Sequence, residues 1–167
     1  EYLEMIKKQA AENYSGITAG REKLTVRYDT FCKATDFDEQ SAAQTMLDEL
    51  EKNRETDIRR QFTGTGPHKD DFDALLDGIA VKAFGSQGQT RTAALSMKLA
   101  EREIFLAETG EYPILLLDDV LSELDEKRQK FVLNRIGGGQ TLITCCEDEG
   151  ISSRTGGRVL FVEKGRI

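Results

Sequence analysis

The residues with the clearest chemical potential are two adjacent aspartates, Asp118 and Asp119, which directly follow four apolar residues at positions 114–117. A continuous apolar run of this length predicts a buried strand, and open α/β sheets bind ligands at the carboxyl ends of such strands. Because successive strand residues point to opposite sides, Asp118 could face a magnesium ion while Asp119 addresses an attacking water. The alternative interpretation is that both aspartates only cap the segment that follows.

A second candidate is the tetrapeptide Ser86-Gln87-Gly88-Gln89, which opens a predicted long helix. Glycine allows the backbone to approach a ligand closely, and the free amides at the positive end of a helix favour phosphate. Ser86 adds a hydroxyl donor. Taken alone, the tetrapeptide could equally be a turn followed by a helix cap.

A third candidate, Ser122-Glu123-Leu124-Asp125, follows the two aspartates and precedes another predicted helix. Asp125 is a suitable N-cap residue, so capping alone is one interpretation of this segment. The combination of all three candidates in one chain is much more specific than any one of them.

The elements that must position these residues alternate between strand and helix, which predicts an α/β fold. Strands are predicted at residues 23–31, 72–76, 79–84, 114–117, 141–145 and 158–163, with Asp77-Gly78 as a hairpin turn. Helices are predicted at residues 1–13, broken near Gly16 and Gly20; from Asp36 or Asp38 to about 60; from 89 to Gly110; and at 126–136. The strands at 114–117 and 141–145 are expected to be buried, the first on both faces.

The helix that ends near residue 60 has a sparse apolar stripe, formed by Met46, Leu47, Leu50 and Ile58, and is otherwise highly charged. This pattern favours a solvated helix packed on one side, and a coiled-coil interaction face is the alternative. The long helix that follows residue 89 has a regular buried stripe formed by Ala93, Met97, Ala100 and Ile104.

Composition excludes several classes of protein. The 167 residues carry a net charge of −7, whereas a dedicated nucleic-acid module is usually basic. No apolar run approaches the roughly 20 residues that a membrane span needs. The cysteines Cys32, Cys145 and Cys146 lack zinc or C-x-x-C spacing, which indicates free thiols in a reducing cytoplasm.

The order of the three candidate motifs resembles that of ABC-type ATPases, in which they are the signature motif, the Walker B strand and the D-loop. More narrowly, residues 66–71 (GPHKDD), 85–96 (GSQGQTRTAALS) and 115–125 (LLLDDVLSELD), preceded by 53–58 (NRETDI), look like the RecF family of DNA-repair ATPases. The resemblance runs from about residue 24 to 145. It implies the C-terminal part of an ABC-type ATPase head, with a helical accessory segment at 1–61 (part of lobe II, partly strand-containing) and the ATPase core at 62–167.

Proteins similar to RecF bind ATP between two subunits, so that the signature motif of one subunit caps the nucleotide on the Walker A loop of the other. The resemblance therefore implies that Ser86, Gly88 and Gln89 contact the γ-phosphate of ATP bound by a partner copy, with Gln87 beside them. It implies an ATP-dependent homodimer that binds DNA at single-strand gaps and junctions and helps, with RecR and RecO, to load RecA.

The same resemblance assigns roles to the acidic residues. Asp118 would support Mg²⁺, and Asp119 would stand where a catalytic base polarises the attacking water. Ser122 and Asp125 would line the dimer interface.

Three departures from the family pattern accompany the resemblance. No G-x-x-x-x-G-K-[ST] phosphate-binding loop occurs in the chain, which begins with Glu1, so we expect a C-terminal portion that is inactive alone. Many ABC proteins have a histidine where Cys145 and Cys146 stand, and a glutamate in place of Asp119. Both differences predict a weak ATPase even in the full-length dimer.

Two further hypotheses remain open. One is a metal-dependent nuclease or phosphotransferase that gathers Asp70, Asp71, Asp118 and Asp119 around two magnesium ions. The other is a non-catalytic module that binds a repair partner through the charged helix at 38–60. His68, the single histidine, is interpreted as part of a hydrogen-bonded turn, and a metal or acid–base role is the alternative.

Overall fold

The computed structural model describes residues 2–31, 38–122, 124–146 and 151–166. They form the predicted α/β fold. In chain order the elements are α1 (Tyr2–Thr18), β1 (Leu24–Asp29), α2 (Glu39–Arg60), a 3₁₀ turn (Pro67–Lys69), β2 (Asp71–Leu76), β3 (Ile79–Ala80), α3 (Val81–Phe84), α4 (Gln87–Thr109), β4 (Leu115–Asp118), α5 (Glu126–Arg135), β5 (Thr141–Thr144) and α6 (Ile151–Thr155). No helix within these residues is long and apolar enough to cross a membrane.

Helix α4 contributes to two apolar cores. In the first core, Ala93 and Ala100 pack with side chains of α1 and of the β1–β2 hairpin. In the second, Leu95 and Leu99 pack with side chains of β4 and α5. The predicted inward stripe is confirmed, because Ala93, Ala100 and Ile104 are buried and Met97 is partly buried against the first core. The helix ends at Gly110, whose left-handed φ of +79° a glycine adopts without strain.

The β1–β2–β3 sheet is antiparallel, with Leu24 opposite Leu76 and Asp29 opposite Asp71. The hairpin turn at Asp77-Gly78 is confirmed, since both residues have the positive φ values, +48° and +85°, that a tight two-residue turn requires. The strand predicted at 79–84 is wrong beyond Ala80. The chain leaves the sheet there and forms the short helix α3, which buries Val81.

Strands β4 and β5 pair in parallel, with Leu116 opposite Leu142 and Asp118 opposite Thr144. Leu115 and Leu117 are buried, but Leu116 is 69% exposed and Leu142 is 50% exposed. The prediction that the strand at 114–117 is covered on both faces is therefore wrong for the described residues. The prediction that the strand at 141–145 is buried is also wrong, since the residues of β5 are partly buried or exposed. Helices α4 and α5 cover one face, and the face that carries Leu116 and Leu142, which we call the open face, is exposed.

Helix α1 continues through Gly16, where the sequence predicts a break. A Cβ atom on Gly16 would lie 2.1 Å from the ring of Phe131, so glycine at this position lets α1 approach α5 closely. The helix ends at Thr18, and the Gly20 amide then donates a hydrogen bond to the Ser15 carbonyl at 2.8 Å.

Helix α2 begins as predicted at Asp38, whose side chain accepts a hydrogen bond from the Ser41 amide at 2.9 Å. The other N-cap candidate, Asp36, lies outside the described residues. No residue of α2 is buried, and Ile58 is 69% exposed. The prediction that one side of this helix is packed is confirmed only in part for the described residues. Met46, Leu50 and Asn53 are partly buried on one side, whereas Leu47 and Ile58 are exposed.

The strand predicted at 158–163 is also wrong. Residues 156–162 have no regular structure, and Phe161 is 80% exposed. A single antiparallel bridge joins Glu163 to Arg166. Helix α6, which the sequence did not indicate, buries Ile151 in the second core.

A buried arginine links α4 to the end of α5. The guanidinium of Arg102 donates hydrogen bonds to the carbonyls of Arg135, Ile136 and Gly137 at 3.3, 3.1 and 2.8 Å. It also lies 3.7 Å from the centre of the Tyr112 ring. A cation is favourable here because the C-terminal carbonyls of a helix lack intrahelical partners.

The domain boundary between residues 61 and 62 stays a prediction. Helix α1 and strand β1 from the first segment pack against α4 and β2 from the second.

Candidate functional site

The N-terminus of α4 carries the tetrapeptide predicted to bind phosphate, with Ser86 as the N-cap residue. The Ser86 hydroxyl accepts a hydrogen bond from the Gln89 amide at 3.2 Å, and the Gln89 side chain accepts one from the Ser86 amide at 2.8 Å. This reciprocal capping box fixes the first turn of the helix. Gln87 and Gly88 are exposed, so the positive end of a 23-residue helix faces solvent at these residues.

The carboxylate of Glu22 anchors the tetrapeptide to the rest of the fold. Gln89 Nε2 donates to Glu22 Oε1 at 2.5 Å, and the hydroxyl of buried Tyr14 donates to Glu22 Oε2 at 2.8 Å. Burial, reinforced by the hydrogen bond to Glu22, raises the pKa of Tyr14 above its ordinary value. Both polar ends of the Gln89 side chain are therefore engaged within the chain.

The two candidate acids lie at the carboxyl end of β4 and are exposed. Asp118 is on the same side of the strand as Leu116, because exposure alternates along β4, and it therefore belongs to the open face. Its Oδ1 accepts a hydrogen bond from the Thr144 hydroxyl at 2.5 Å. Asp119 is beyond the strand and has a left-handed φ of +52°, a conformation that aspartate tolerates better than most residues with a side chain.

The backbone of Asp119 is held on both sides. Its amide donates to the Thr144 carbonyl at 3.2 Å and to the Thr144 hydroxyl at 3.0 Å. Its carbonyl and its carboxylate Oδ1 accept from the Ser122 hydroxyl at 2.9 and 2.6 Å. Ser122, predicted at a dimer interface, thus contacts the candidate catalytic carboxylate of its own chain.

The remainder of the D-loop segment connects this site to α5. Asp125 caps α5 by accepting a hydrogen bond from the Arg128 amide at 3.0 Å, which confirms the predicted cap. Buried Leu121 is held at its carbonyl by the side chain of Gln129 at 3.0 Å. Glu123 lies outside the described residues.

Gly88 of the signature tetrapeptide and the acid pair border one cavity of about 390 Å³. Gly88 and Arg91 line it from α4, Asp118 and Asp119 from the end of β4, and Arg128 from α5. The cavity therefore combines carboxylates, which suit a hard divalent cation, with guanidinium groups, which suit phosphate.

The third group of predicted acids lies elsewhere, at the start of β2. Asp70 accepts a hydrogen bond from the Tyr28 hydroxyl at 2.5 Å, and the hydrogen bond from Lys82 lowers the pKa of the Asp71 carboxyl. The ring of His68 is 3.0 Å from the Thr63 carbonyl, as expected for a hydrogen-bonded turn. Among the described residues, no group of three or more histidines, cysteines or acids is placed to hold a metal ion. The nuclease hypothesis is not favoured, because Asp71 begins a strand of the antiparallel sheet whereas Asp118 ends a strand of the other sheet.

The expectation of free thiols agrees with the structure at the two cysteines that it describes. Cys145 and Cys146 are exposed and follow β5, and Cys32 lies outside the described residues.

Two residues that hold the site were not predicted from the sequence. Thr144 could have been found by assuming that the strands at 114–117 and 141–145 are neighbours in a parallel sheet, because their carboxyl ends then coincide. Glu22 is 67 residues from Gln89, and no local pattern marks it.

The sequence has extensive similarity to known proteins. No protein-family model matches the chain. It is 42% identical over 169 residues to the DNA replication and repair protein RecF of Clostridium perfringens, and 44% identical over 171 residues to RecF of an Exiguobacterium species. These alignments cover 100% and 99% of the chain but 46% of each relative. The chain thus spans about half the length of the curated relatives it matches.

Solved structures give the same result. The fold matches a structure described as the recombination mediator protein RecF-ATPrS in the RecFOR pathway, with a TM-score of 0.72 and 38% sequence identity. A second structure, described as RecF-ATP in the same pathway, matches with a TM-score of 0.71 and 37% identity. The matches cover 88% and 89% of this chain and 40% of each solved chain. The predicted resemblance is confirmed: the chain is homologous over its full length to the C-terminal portion of RecF, an ABC ATPase-type protein.

Proposed function

We propose that this chain supplies the signature-motif, Walker B and D-loop half of a composite ATP site in a RecF-like DNA-repair ATPase. The observation that carries the proposal is the capped N-terminus of α4, which presents Ser86, Gln87 and Gly88 to solvent. Gly88 also lines the cavity that Asp118 and Asp119 line from the end of β4. Homology to RecF over the whole chain supports it, as do two solved relatives described with ATP or an ATP analogue in their names.

The phosphate contact is made by the hydroxyl of Ser86 and the amides at Gln87 and Gly88. The Ser86 oxygen accepts from the Gln89 amide, which leaves the hydroxyl proton to donate to a γ-phosphate oxygen. Gln89 serves the same site by fixing the motif, since its side chain bonds to Ser86 and Glu22. We infer that in the full-length protein the nucleotide capped by this motif is held by the phosphate-binding loop of a partner copy, as the RecF resemblance implies.

The acid pair supplies the metal and water side of the site. Asp118 is exposed, with one carboxylate oxygen bonded to Thr144, and this suits Mg²⁺, which is typically held by one or two carboxylates together with phosphate oxygens. Asp119 orients the attacking water, and Ser122 and Asp125 lie at the subunit interface. A magnesium ion held there would supply positive charge to stabilise the phosphate oxygens.

In its full-length form the protein is a cytoplasmic, ATP-dependent homodimer with weak ATPase activity. It binds DNA at single-strand gaps and acts with RecO, RecR and RecA-type proteins. The names of its relatives, a DNA replication and repair protein and a recombination mediator in the RecFOR pathway, support this assignment. The 167-residue chain alone neither binds ATP tightly nor hydrolyses it.

The test compares Ser86→Asp with Ser86→Asn in a polypeptide of the relatives' length that includes this chain, which we call the full-length protein. Aspartate and asparagine are equally good N-cap residues, so both variants keep the helix start. Only aspartate places a negative charge against the γ-phosphate. We expect Ser86→Asp to abolish ATP-dependent dimerisation in sedimentation velocity, while ATP binding by the monomer is unchanged and Ser86→Asn still dimerises. Normal dimerisation of Ser86→Asp would show that the motif does not cap a nucleotide.

A further inference from the structure

Thr144 occupies an unusual position because one side-chain hydroxyl contacts both candidate acids. It is the last residue of β5 and is in register with Asp118. Its hydroxyl donates to Asp118 Oδ1 at 2.5 Å and accepts from the Asp119 amide at 3.0 Å. A hydroxyl can do both at once, because it has one proton and two acceptor lone pairs.

The hydrogen bond from the Asp119 amide to the Thr144 hydroxyl stabilises the left-handed backbone conformation of Asp119. Asp119 has a φ of +52°, where residues with a Cβ are rarely found because of steric repulsion. The Thr144 hydroxyl and carbonyl hold its amide, and the Ser122 hydroxyl holds its carbonyl. With Asp119 in this conformation, its side chain departs from the alternation of β4 and reaches the Ser122 hydroxyl at 2.6 Å.

The chain also contains a natural comparison for this threonine. Thr141 begins the same strand, and its buried hydroxyl has no hydrogen-bond partner among the described residues. The two threonines therefore differ in whether the hydroxyl makes bonds, although they share a strand and a residue type.

We propose that Thr144 is a positioning residue which, through its hydroxyl, fixes the Asp118 carboxylate and the Asp119 backbone relative to each other. This inference rests on the proposed function, because it assigns metal support to Asp118 and water orientation to Asp119. Thr144 fixes the relative orientation of the two aspartates and itself contacts neither the metal ion nor the attacking water.

The decisive variants are Thr144→Val, which keeps the β-branched shape and removes the hydroxyl, and Thr144→Ser, which keeps the hydroxyl. Thr141→Val is the matched control. In the full-length protein we expect Thr144→Val to lower the single-turnover rate of ATP hydrolysis roughly 10- to 100-fold, as for a lost hydrogen bond to a charged group, with ATP affinity unchanged. We expect Thr144→Ser to stay within about threefold of wild type and Thr141→Val to be unaffected.

A second measurement needs neither nucleotide nor metal. Amide hydrogen exchange at Asp119, followed by NMR, should become at least about tenfold faster in Thr144→Val than in Thr144→Ser, because the amide loses one of its two acceptors. Equal exchange in the two variants, or equal hydrolysis by Thr144→Val and Thr141→Val, would overturn the inference.

Asp119→Asn separates this inference from the proposed function. If Asp119→Asn abolishes hydrolysis while Thr144→Val does not, the proposed function stands and the positioning role of Thr144 is wrong. If Asp119→Asn hydrolyses ATP like wild type, the proposed site is wrong and the role of Thr144 fails with it.

Discussion

Replacing Arg102 with methionine removes a buried cation while approximately preserving side-chain volume and the fit to the core. Arg102 is 2% exposed, and its guanidinium satisfies three carbonyls at the end of α5. Each hydrogen bond from the charged guanidinium contributes about 1.5–3 kcal/mol, and the contact with the Tyr112 ring contributes a further ~0.5–2 kcal/mol. Removing the desolvation cost of a buried charge offsets several kcal/mol of this. We therefore expect a net loss of about 3 kcal/mol in the free energy of unfolding.

Urea denaturation of the 167-residue chain measures this loss through circular dichroism at the helix band. The chain contains no tryptophan, so tyrosine fluorescence is the second probe and should give the same midpoint. Arg27→Met is the matched control, because Arg27 also forms an ion pair, with Asp73 at 2.7 Å, but its side chain is 65% exposed. An exposed pair contributes little to stability, because water and salt screen its charges.

The comparison between Arg102→Met and Arg27→Met tests whether Arg102 stabilises the fold. If Arg102→Met unfolds at the same urea concentration as Arg27→Met, the carbonyls at the end of α5 find other partners and the stabilising role of Arg102 is refuted. If Arg102→Met is more stable than wild type, the desolvation of the guanidinium outweighs its hydrogen bonds.

Further predictions concern α1 and α4. Burial and Glu22 raise the pKa of Tyr14 in the folded state, so this tyrosine contributes stability that is present below the unfolded pKa of about 10 and is lost as pH rises above it. When urea midpoints are measured from pH 8 to 11, they should fall less steeply above pH 10 in Tyr14→Phe than in wild type. An unchanged slope would contradict this assignment. Gly16→Ala should destabilise the chain by about 2 kcal/mol in thermal unfolding, since its Cβ would lie 2.1 Å from the Phe131 ring. Gly88→Ala should raise the free energy of unfolding by about 0.5–1 kcal/mol, because the added Cβ would meet nothing within 4 Å. In the full-length protein the same substitution should weaken ATP-dependent dimerisation. Unaltered dimerisation would argue against a close approach of the Gly88 backbone to phosphate.

The features that the sequence predicts correctly depend on local interactions. The caps at Ser86, Asp38 and Asp125 are bonds between a side chain and an amide three residues later, so the residue types alone identify them. The hairpin turn at residues 77–78 is equally local. The motifs around Asp118 follow from an apolar run and its two acids.

The errors concern elements whose environment depends on distant parts of the chain. An apolar sequence at 114–117 or 158–163 predicts a strand with an apolar face. It does not show whether other described residues cover that face. Gly16 has a low helix propensity, but close packing against Phe131 requires glycine at this position within the helix. Thr144 and Glu22 are significant only because strands β4 and β5 are neighbours and α1 packs on α4.

The open face of the β4–β5 sheet has an electrostatic consequence for the acid site. Asp118 shares this face with Leu116, so a segment that covers the leucine must also displace water near the carboxylate. As the effective dielectric constant falls from about 80 in water towards about 20 near a protein surface, the attraction between a carboxylate and a divalent cation rises about fourfold. If Asp118 supports a cation as we propose, covering the sheet therefore strengthens this attraction and at the same time imposes the cost of removing water from the carboxylate. The change in metal affinity when the sheet is covered would measure the balance of these two effects.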